Sequence, residues 1–188
     1  MTLLLTPEPS VLTLIELFNR TFAETENTLL QGSAEEPLYQ PADKDDGCHC
    51  IYFTRDYFAS ALHEVAHWCV AGAGRRKLVD YGYWYAPDGR SASQQTEFEQ
   101  VEVRPQALEW IFATAAGVGF RVSADNLAAG LGASEKFKTA IYAEVQRCCE
   151  QGLSPRATQF VQALLDNYQP SARVSVWLQA GLFRREDL

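Results

Sequence analysis

His63-Glu64-Val65-Ala66-His67 constrains this chain more than any other stretch, because it holds two of the three histidines, four positions apart, with a carboxylate between them. On an α-helix, positions i and i+4 sit one turn apart on the same face, so both imidazoles can reach one ion while Glu64 projects beside it. The flanking sequence supports a helix. Tyr57-Phe58-Ala59-Ser60-Ala61-Leu62 precedes the pentad, Trp68-Cys69-Val70-Ala71 follows it, Gly72 offers a C-terminal stop and Asp56 an N-terminal cap. Apolar residues surround this helix on nearly every side, which places it in the interior. Unpaired imidazoles there would each cost roughly 1–3 kcal/mol, and a shared metal ion satisfies both. H-E-x-x-H is the arrangement used by metal-dependent hydrolases.

Two histidines need at least one more protein ligand, and with no useful histidine left the expectation is an acid. The richest segment is Glu97-Phe98-Glu99-Gln100-Val101-Glu102-Val103-Arg104-Pro105-Gln106-Ala107-Leu108-Glu109-Trp110, acidic at first and then apolar. Glu102 stands out because Val101 and Val103 flank it, which implies inward packing. Glu99 would share a helical face with Glu102 and could orient a ligand from behind. Pro105 either starts a helix here or kinks one.

The 188 residues, 47% of them hydrophobic, fit one domain spanning 1–188. Met1-Thr2-Leu3-Leu4-Leu5 is broken by Pro7 and Pro9 and lacks the basic region and apolar length of a signal peptide; no run reaches membrane-spanning length, so a cytoplasmic protein without membrane contact is expected. Five cysteines, with Cys148 and Cys149 adjacent, make a poor disulfide framework. Cys48-His49-Cys50 reads as the lead-in to a strand, since zinc sites separate their cysteines by two or more residues and successive strand side chains point to opposite faces. A net charge of −8 argues against nucleic-acid binding. Arg75-Arg76-Lys77 puts three positive charges near the end of the metal helix, serving either the helix dipole and solubility or the docking of an acidic partner.

Coarse patterning predicts an amphipathic helix carrying Val11, Leu14, Ile15 and Phe18, strands at Leu38-Tyr39, Ile51-Tyr52-Phe53 and 78–85, a turn at Pro87-Asp88-Gly89, and helices over about 106–116, 134–151 and 155–168. The class is α+β, a helix-rich domain with a small sheet beside the H-E-x-x-H helix. The rings of Tyr81 to Tyr85 would pack on a half-buried strand or wall a cleft, to which Asp80 could add a charge.

Three stretches carry a more specific resemblance: Tyr57 through Cys69 around the pentad; Leu78-Val79-Asp80-Tyr81-Gly82-Tyr83-Trp84-Tyr85-Ala86-Pro87-Asp88-Gly89-Arg90; and Phe98-Glu99-Gln100-Val101-Glu102-Val103-Arg104-Pro105-Gln106-Ala107-Leu108. Together they closely resemble the bacterial elongation factor P hydroxylase family, over most of the chain and most strongly over about 36–126. The resemblance implies a zincin-like core and a non-haem enzyme using a divalent metal, iron(II), with molecular oxygen as cosubstrate. Its substrate would be the β-lysylated lysine of elongation factor P. It maps metal ligands onto His63, His67 and Glu102. A long cationic substrate arm suggests an acidic or aromatic cleft, with Asp80, Tyr83, Trp84 and acids near Glu99 as candidates. An acidic protein partner would dock on Arg75, Arg76 and Lys77. Two histidines and one carboxylate suit ferrous oxygenases and zinc hydrolases alike, so a small zinc metallopeptidase is the alternative. Glu64 would be the general base of a peptidase; in a hydroxylase it would hydrogen-bond a metal-bound water or handle a proton. The residues do not specify whether a 2-oxo acid is consumed.

Overall fold

The computed structural model describes residues 9–43, 47–82, 90–123 and 133–188. Helix α1 (Val11–Phe22) starts at Ser10, whose hydroxyl accepts the Thr13 amide at 3.1 Å, and buries Leu14, Leu17, Phe18 and Phe22. Its Asn19 reaches sideways: Oδ1 accepts the Leu30 amide at 2.7 Å and Nδ2 donates to the Leu30 carbonyl at 3.4 Å. That side chain covers the outer edge of β1 (Thr28–Ala34), a strand absent from the sequence reading. Strands β2 (Leu38–Gln40) and β3 (His49–Thr54) fall where Leu38-Tyr39 and Ile51-Tyr52-Phe53 were expected. The sheet order is β1-β3-β2, with β1 parallel and β2 antiparallel to the central β3.

β3 turns into helix α2 (Phe58–Val70) through Arg55 and Asp56, both at positive φ (49° and 57°). This turn corrects one expectation. Asp56 does not cap α2; its carboxylate swings back to accept the Ser33 amide at 2.8 Å, and the N-cap residue is Tyr57, which makes no side-chain capping bond. A Cβ at Gly32 would overlap the same carboxylate, so a larger residue there would require Asp56 to move from its place against Ser33. Helix α2 ends at Val70 with Ala71 as its cap, just before the expected stop at Gly72. Gly72 is not left-handed, and Arg156 from α5 (Pro155–Tyr168) donates to the Ala71 carbonyl at 2.6 Å while its guanidinium lies 4.6 Å from the centroid of the Trp68 ring. A cation thus meets the negative end of the helix from another element.

The largest revision concerns α3 (Ala92–Ala116), 25 residues long, which begins well before the expected position 106. Ser91 and Gln94 form a reciprocal capping box at its start, and Gly117, at φ 73°, ends it in the left-handed conformation. Pro105 lies inside the helix and leaves the Val101 carbonyl without its usual donor, at a residue 37% exposed where water can serve instead. Helix α4 (Glu135–Gln151), capped by Ser134, and helix α5 agree with the expected spans, while short α6 (Val174–Leu178) was not anticipated.

The expected strand at 78–85 is not one over its described part. Arg75–Lys77 and Val79–Gly82 are 3-10 turns. Asp80, at φ 52°, uses Oδ1 to accept the Tyr39 amide at 3.1 Å, so a side chain takes the edge of β2 that a further strand would have paired. Tyr83, Trp84 and the Pro87-Asp88-Gly89 turn lie outside the described residues.

The result is a helix-rich α+β arrangement whose core joins Phe18, Phe22, Trp68, Phe112 and Phe160, all essentially fully buried and linked by edge or tilted ring contacts. Tyr39 ties the segment after α2 to the sheet, its hydroxyl donating to the Arg76 carbonyl at 2.9 Å. Tyr39→Phe removes that bond without opening a cavity and is expected to cost about 1 kcal/mol, a drop of roughly 2–4 °C in Tm on thermal unfolding.

Candidate metal centre

Helix α2 carries His63 and His67 one turn apart, and their Nε2 atoms lie 3.1 Å from each other. Helix α3 packs against α2 and presents Glu102 to both rings, Oε1 at 3.1 Å from His67 Nε2 and Oε2 at 3.5 Å from His63 Nε2. Among the described residues, these three are the group of His, Cys, Asp or Glu side chains close enough to hold an ion. The separations can be tested against coordination geometry. Two donors about 2.1 Å from one ion, subtending 90–110° at it, stand about 3.0–3.4 Å apart. The two Nε2 atoms at 3.1 Å and Oε1 at 3.1 Å from His67 Nε2 meet that requirement, while the other carboxylate oxygen stands slightly wide of it, at 3.5 Å from His63 Nε2.

Glu102 is only 2% exposed. The reason is not the flanking valines, since Val101 is exposed and Val103 half-buried; Glu102 is buried because its helical face meets α2. Burial alone would raise its carboxyl, but the imidazoles of His67 and His63, with hydrogen bonds from His67 and Gln106, bring it down to about 2. It therefore stays an anion and an available ligand.

Behind His63 stands Glu109, which sequence reasoning passed over. Its Oε2 lies 2.8 Å from His63 Nδ1, and the residue is buried. A carboxylate there holds the proton on Nδ1 and leaves the Nε2 lone pair facing the cluster. Glu102, Gln106 and Glu109 recur at i, i+4 and i+7, one stripe of α3. That spacing, with Glu109 set among Ala107, Leu108, Trp110 and Ile111, was the available signal. Gln106 holds its place by donating to the Ser123 carbonyl at 2.8 Å and accepting the Ser123 amide at 3.1 Å.

Glu64 occupies a different environment. It is half-buried and forms no hydrogen bond or ion pair with another described residue. Burial raises its carboxyl; His63 and His67 oppose the rise, while the charges of Glu102 and Asp80 add to it. Of the other expected residues, Glu99 is engaged elsewhere: its carboxylate accepts the Ser134 hydroxyl at 2.7 Å and the Ser134 amide at 3.3 Å, joining α3 to the start of α4. Asp80 lies at the β2 edge within electrostatic reach of Glu64. Arg75 and Lys77 are exposed, whereas Arg76 is half-buried and pairs with Glu26 at 2.8 Å. His49 is turned into the sheet, where its Nδ1 accepts the Ala42 amide at 2.9 Å and its ring stacks on Tyr39. No helix among the described residues is long and apolar enough to cross a membrane.

Two predictions follow from this geometry. Glu109→Gln should weaken metal binding about 10–100-fold with the fold retained, measured by competition against a chromogenic chelator. Metal affinity should also depend on pH. In the metal-free cluster, burial lowers the His63 pKa, but the charges of Glu102, Glu109 and Glu64 and the hydrogen bond to Glu109 outweigh it and raise the pKa well above 6.5. Because a proton on Nε2 blocks ligation, affinity should fall as pH drops through that raised value and level off above it, with proton release on binding detectable by calorimetry in buffers of different ionisation enthalpy.

Comparison with known proteins adds two findings. The family model described as elongation factor P hydroxylase matches residues 17–179. Elongation factor P lysine hydroxylase of Haemophilus influenzae is 51% identical over 155 residues, spanning 82% of this chain and 87% of that protein.

Proposed function

This chain belongs to the elongation factor P hydroxylase family, and from that premise we propose that it is an iron(II)-dependent enzyme that uses molecular oxygen to hydroxylate the β-lysylated lysine of elongation factor P. The observation that carries the metal reading is the convergence of His63 Nε2, His67 Nε2 and a Glu102 carboxylate oxygen within 4.8 Å of one another. When bound, a ferrous ion on this facial set would supply oxygen activation. His63 and His67 hold it from one helix and Glu102 from the next. Glu109 keeps His63 in the ligating tautomer. Glu64, beside the ligands and without a competing partner among the described residues, accepts or returns a proton at its carboxylate. Asp80 supports a subsite for the cationic substrate arm, since its negative charge is felt at Glu64.

The test is mass spectrometry of β-lysylated elongation factor P after incubation with enzyme, iron(II), oxygen and a chemical reductant. The modified lysine should gain one oxygen atom, and zinc-loaded enzyme should leave it unchanged. His63→Ala, His67→Ala and Glu102→Ala should each abolish metal retention and hydroxylation, while Glu99→Ala keeps its metal. A zinc-loaded protein that cleaves peptide bonds and never oxidises lysine would instead establish the peptidase chemistry that the same ligands permit.

Docking is assigned to the basic turn after α2. Exposed Arg75 and Lys77 stand beside Leu78 and Val79, 52% and 49% exposed, on a chain of net charge −8. Arg75→Glu with Lys77→Glu should weaken substrate binding mainly through slower association, with metal content unchanged and a smaller loss of affinity on adding salt than the native protein shows. Arg76 is left in place in that test because its ion pair with Glu26 joins this turn to the segment after α1.

A further inference from the structure

Cys48-His49-Cys50 takes no part in the metal cluster, yet its two sulfurs meet. Cys48 Sγ and Cys50 Sγ lie 3.7 Å apart, close to van der Waals contact. Strand alternation explains the meeting. β3 sends Ile51 and Phe53, both fully buried, toward the helices, and sends Cys50 and Tyr52 to the other face, which Cys48 joins from one residue before the strand. Around Cys50 Sγ the partners are polar: Gln31 Nε2 donates to it at 3.6 Å, and Tyr52 makes a side-chain hydrogen bond with it. Cys48 is half-buried and within reach of a small solute, whereas Cys50 is 7% exposed. Cys69 and Cys148 sit buried in the helical core with thiols pushed up to about 12 and about 11, and burial raises the Cys50 thiol too, which leaves the half-buried Cys48 as the sulfur that meets the oxidant. A metal site does not fit the pair, because His49 is committed to the Ala42 amide and to Tyr39.

We propose that Cys48 and Cys50 form an oxidisable dithiol, a reversible modification site for small peroxide-class oxidants that is separate from the metal cluster. The Cys48 sulfur attacks the peroxide; an S–O bond forms, the O–O bond breaks, and hydroxide leaves and takes up the Cys48 proton as water. The Cys50 sulfur then attacks the Cys48 sulfenic sulfur, forming the S–S bond and breaking the S–O bond, and a second water leaves with the Cys50 proton. Two thiols lose two electrons and the peroxide gains them. Closure brings the sulfurs from 3.7 Å to about 2.05 Å. The Cα atoms of residues i and i+2 on an extended chain are about 6.7 Å apart, at the upper end of what a disulfide spans, so the closed link is strained and readily reduced. Cys48 also sits between two anchors of the sheet, Asn27 Nδ2 donating to the Gly47 carbonyl at 3.0 Å and the His49 amide donating to the Asn27 carbonyl at 2.8 Å. Closure therefore acts on the point where the preceding loop enters β3.

The experiment uses the full chain loaded with zinc, so that the metal cluster takes no part in electron transfer. It is titrated with hydrogen peroxide, alkylated, and mapped by mass spectrometry. One equivalent should convert the tryptic peptide 45–55 to a form lacking two hydrogens and resistant to alkylation, restored by dithiothreitol. Cys50→Ser should stop at an oxygenated Cys48 that a sulfenic-acid trap captures. Cys48→Ser should leave Cys50 alkylatable after the same treatment, with the fold of both variants checked by circular dichroism. The proposal is overturned if Cys149 oxidises first, if native Cys48 passes to the sulfinic acid without the linked form, or if both thiols remain alkylatable. None of these outcomes depends on the hydroxylase reading.

Discussion

The packing of α2 against α3 is the contact on which this molecule depends. Each helix alone presents polar groups that an apolar interior cannot tolerate: two imidazoles on one, two carboxylates and an amide on the other. Brought together they satisfy one another, with Glu102 between the histidine rings and Glu109 behind the first of them. A buried cluster of this kind is strongly destabilising if one member is removed and the others are left uncompensated. A divalent cation would complete the charge balance, since Glu102 and Glu109 supply two negative charges around two imidazoles that would be neutral as ligands.

The rest of the fold holds those two helices in register. Arg156 reaches from α5 to the last carbonyls of α2 and stacks on Trp68, whose ring lies among Phe18, Phe22 and the guanidinium. Glu99 ties α3 to Ser134 at the start of α4, and Gln106 ties it to the segment after its own C-terminus. Three carboxylates of α3 thus have three positions: Glu99 joins helices, Glu102 faces both histidine rings, and Glu109 bonds the first ring from behind. Glu64 is set apart by having no such partner among the described residues, which keeps its carboxylate available for protons.

Much of this was legible in the chain. The i, i+4 histidines determined which face of α2 meets the acids, because helical periodicity is local, and the scarcity of histidine directed attention to the acids as their partners. The limits of α4 and α5 followed from Ser134, Gly152 and Pro155, whose capping and turn preferences are also local. Glu102 meets the histidine rings through its own stripe of α3 and not through its flanking valines, of which Val101 is exposed and Val103 half-buried. The capping box Ser91-Ala92-Ser93-Gln94 announced the early start of α3, but the polar run after it concealed a first half buried, among the described residues, only at Gln95, Phe98 and Glu102.

What the sequence determined by itself was the chemistry available: two imidazoles and a carboxylate spaced for one helix, an acid-rich partner segment, and a family resemblance carried by contiguous motifs. Tertiary structure alone decided which acids those imidazoles meet. Glu99, Glu102 and Glu109 are chemically equivalent in the chain, and 40 or so residues separate them from the histidines; their different roles arise only when α3 is laid across α2 at one rotation and one register. The same holds for Asp80, which replaces an expected strand by bonding the edge of β2, and for Asp56, which turned from the helix it precedes toward Ser33. Side-chain hydrogen bonds between distant segments depend on positions that no local propensity encodes, so they become visible only once the chain is folded.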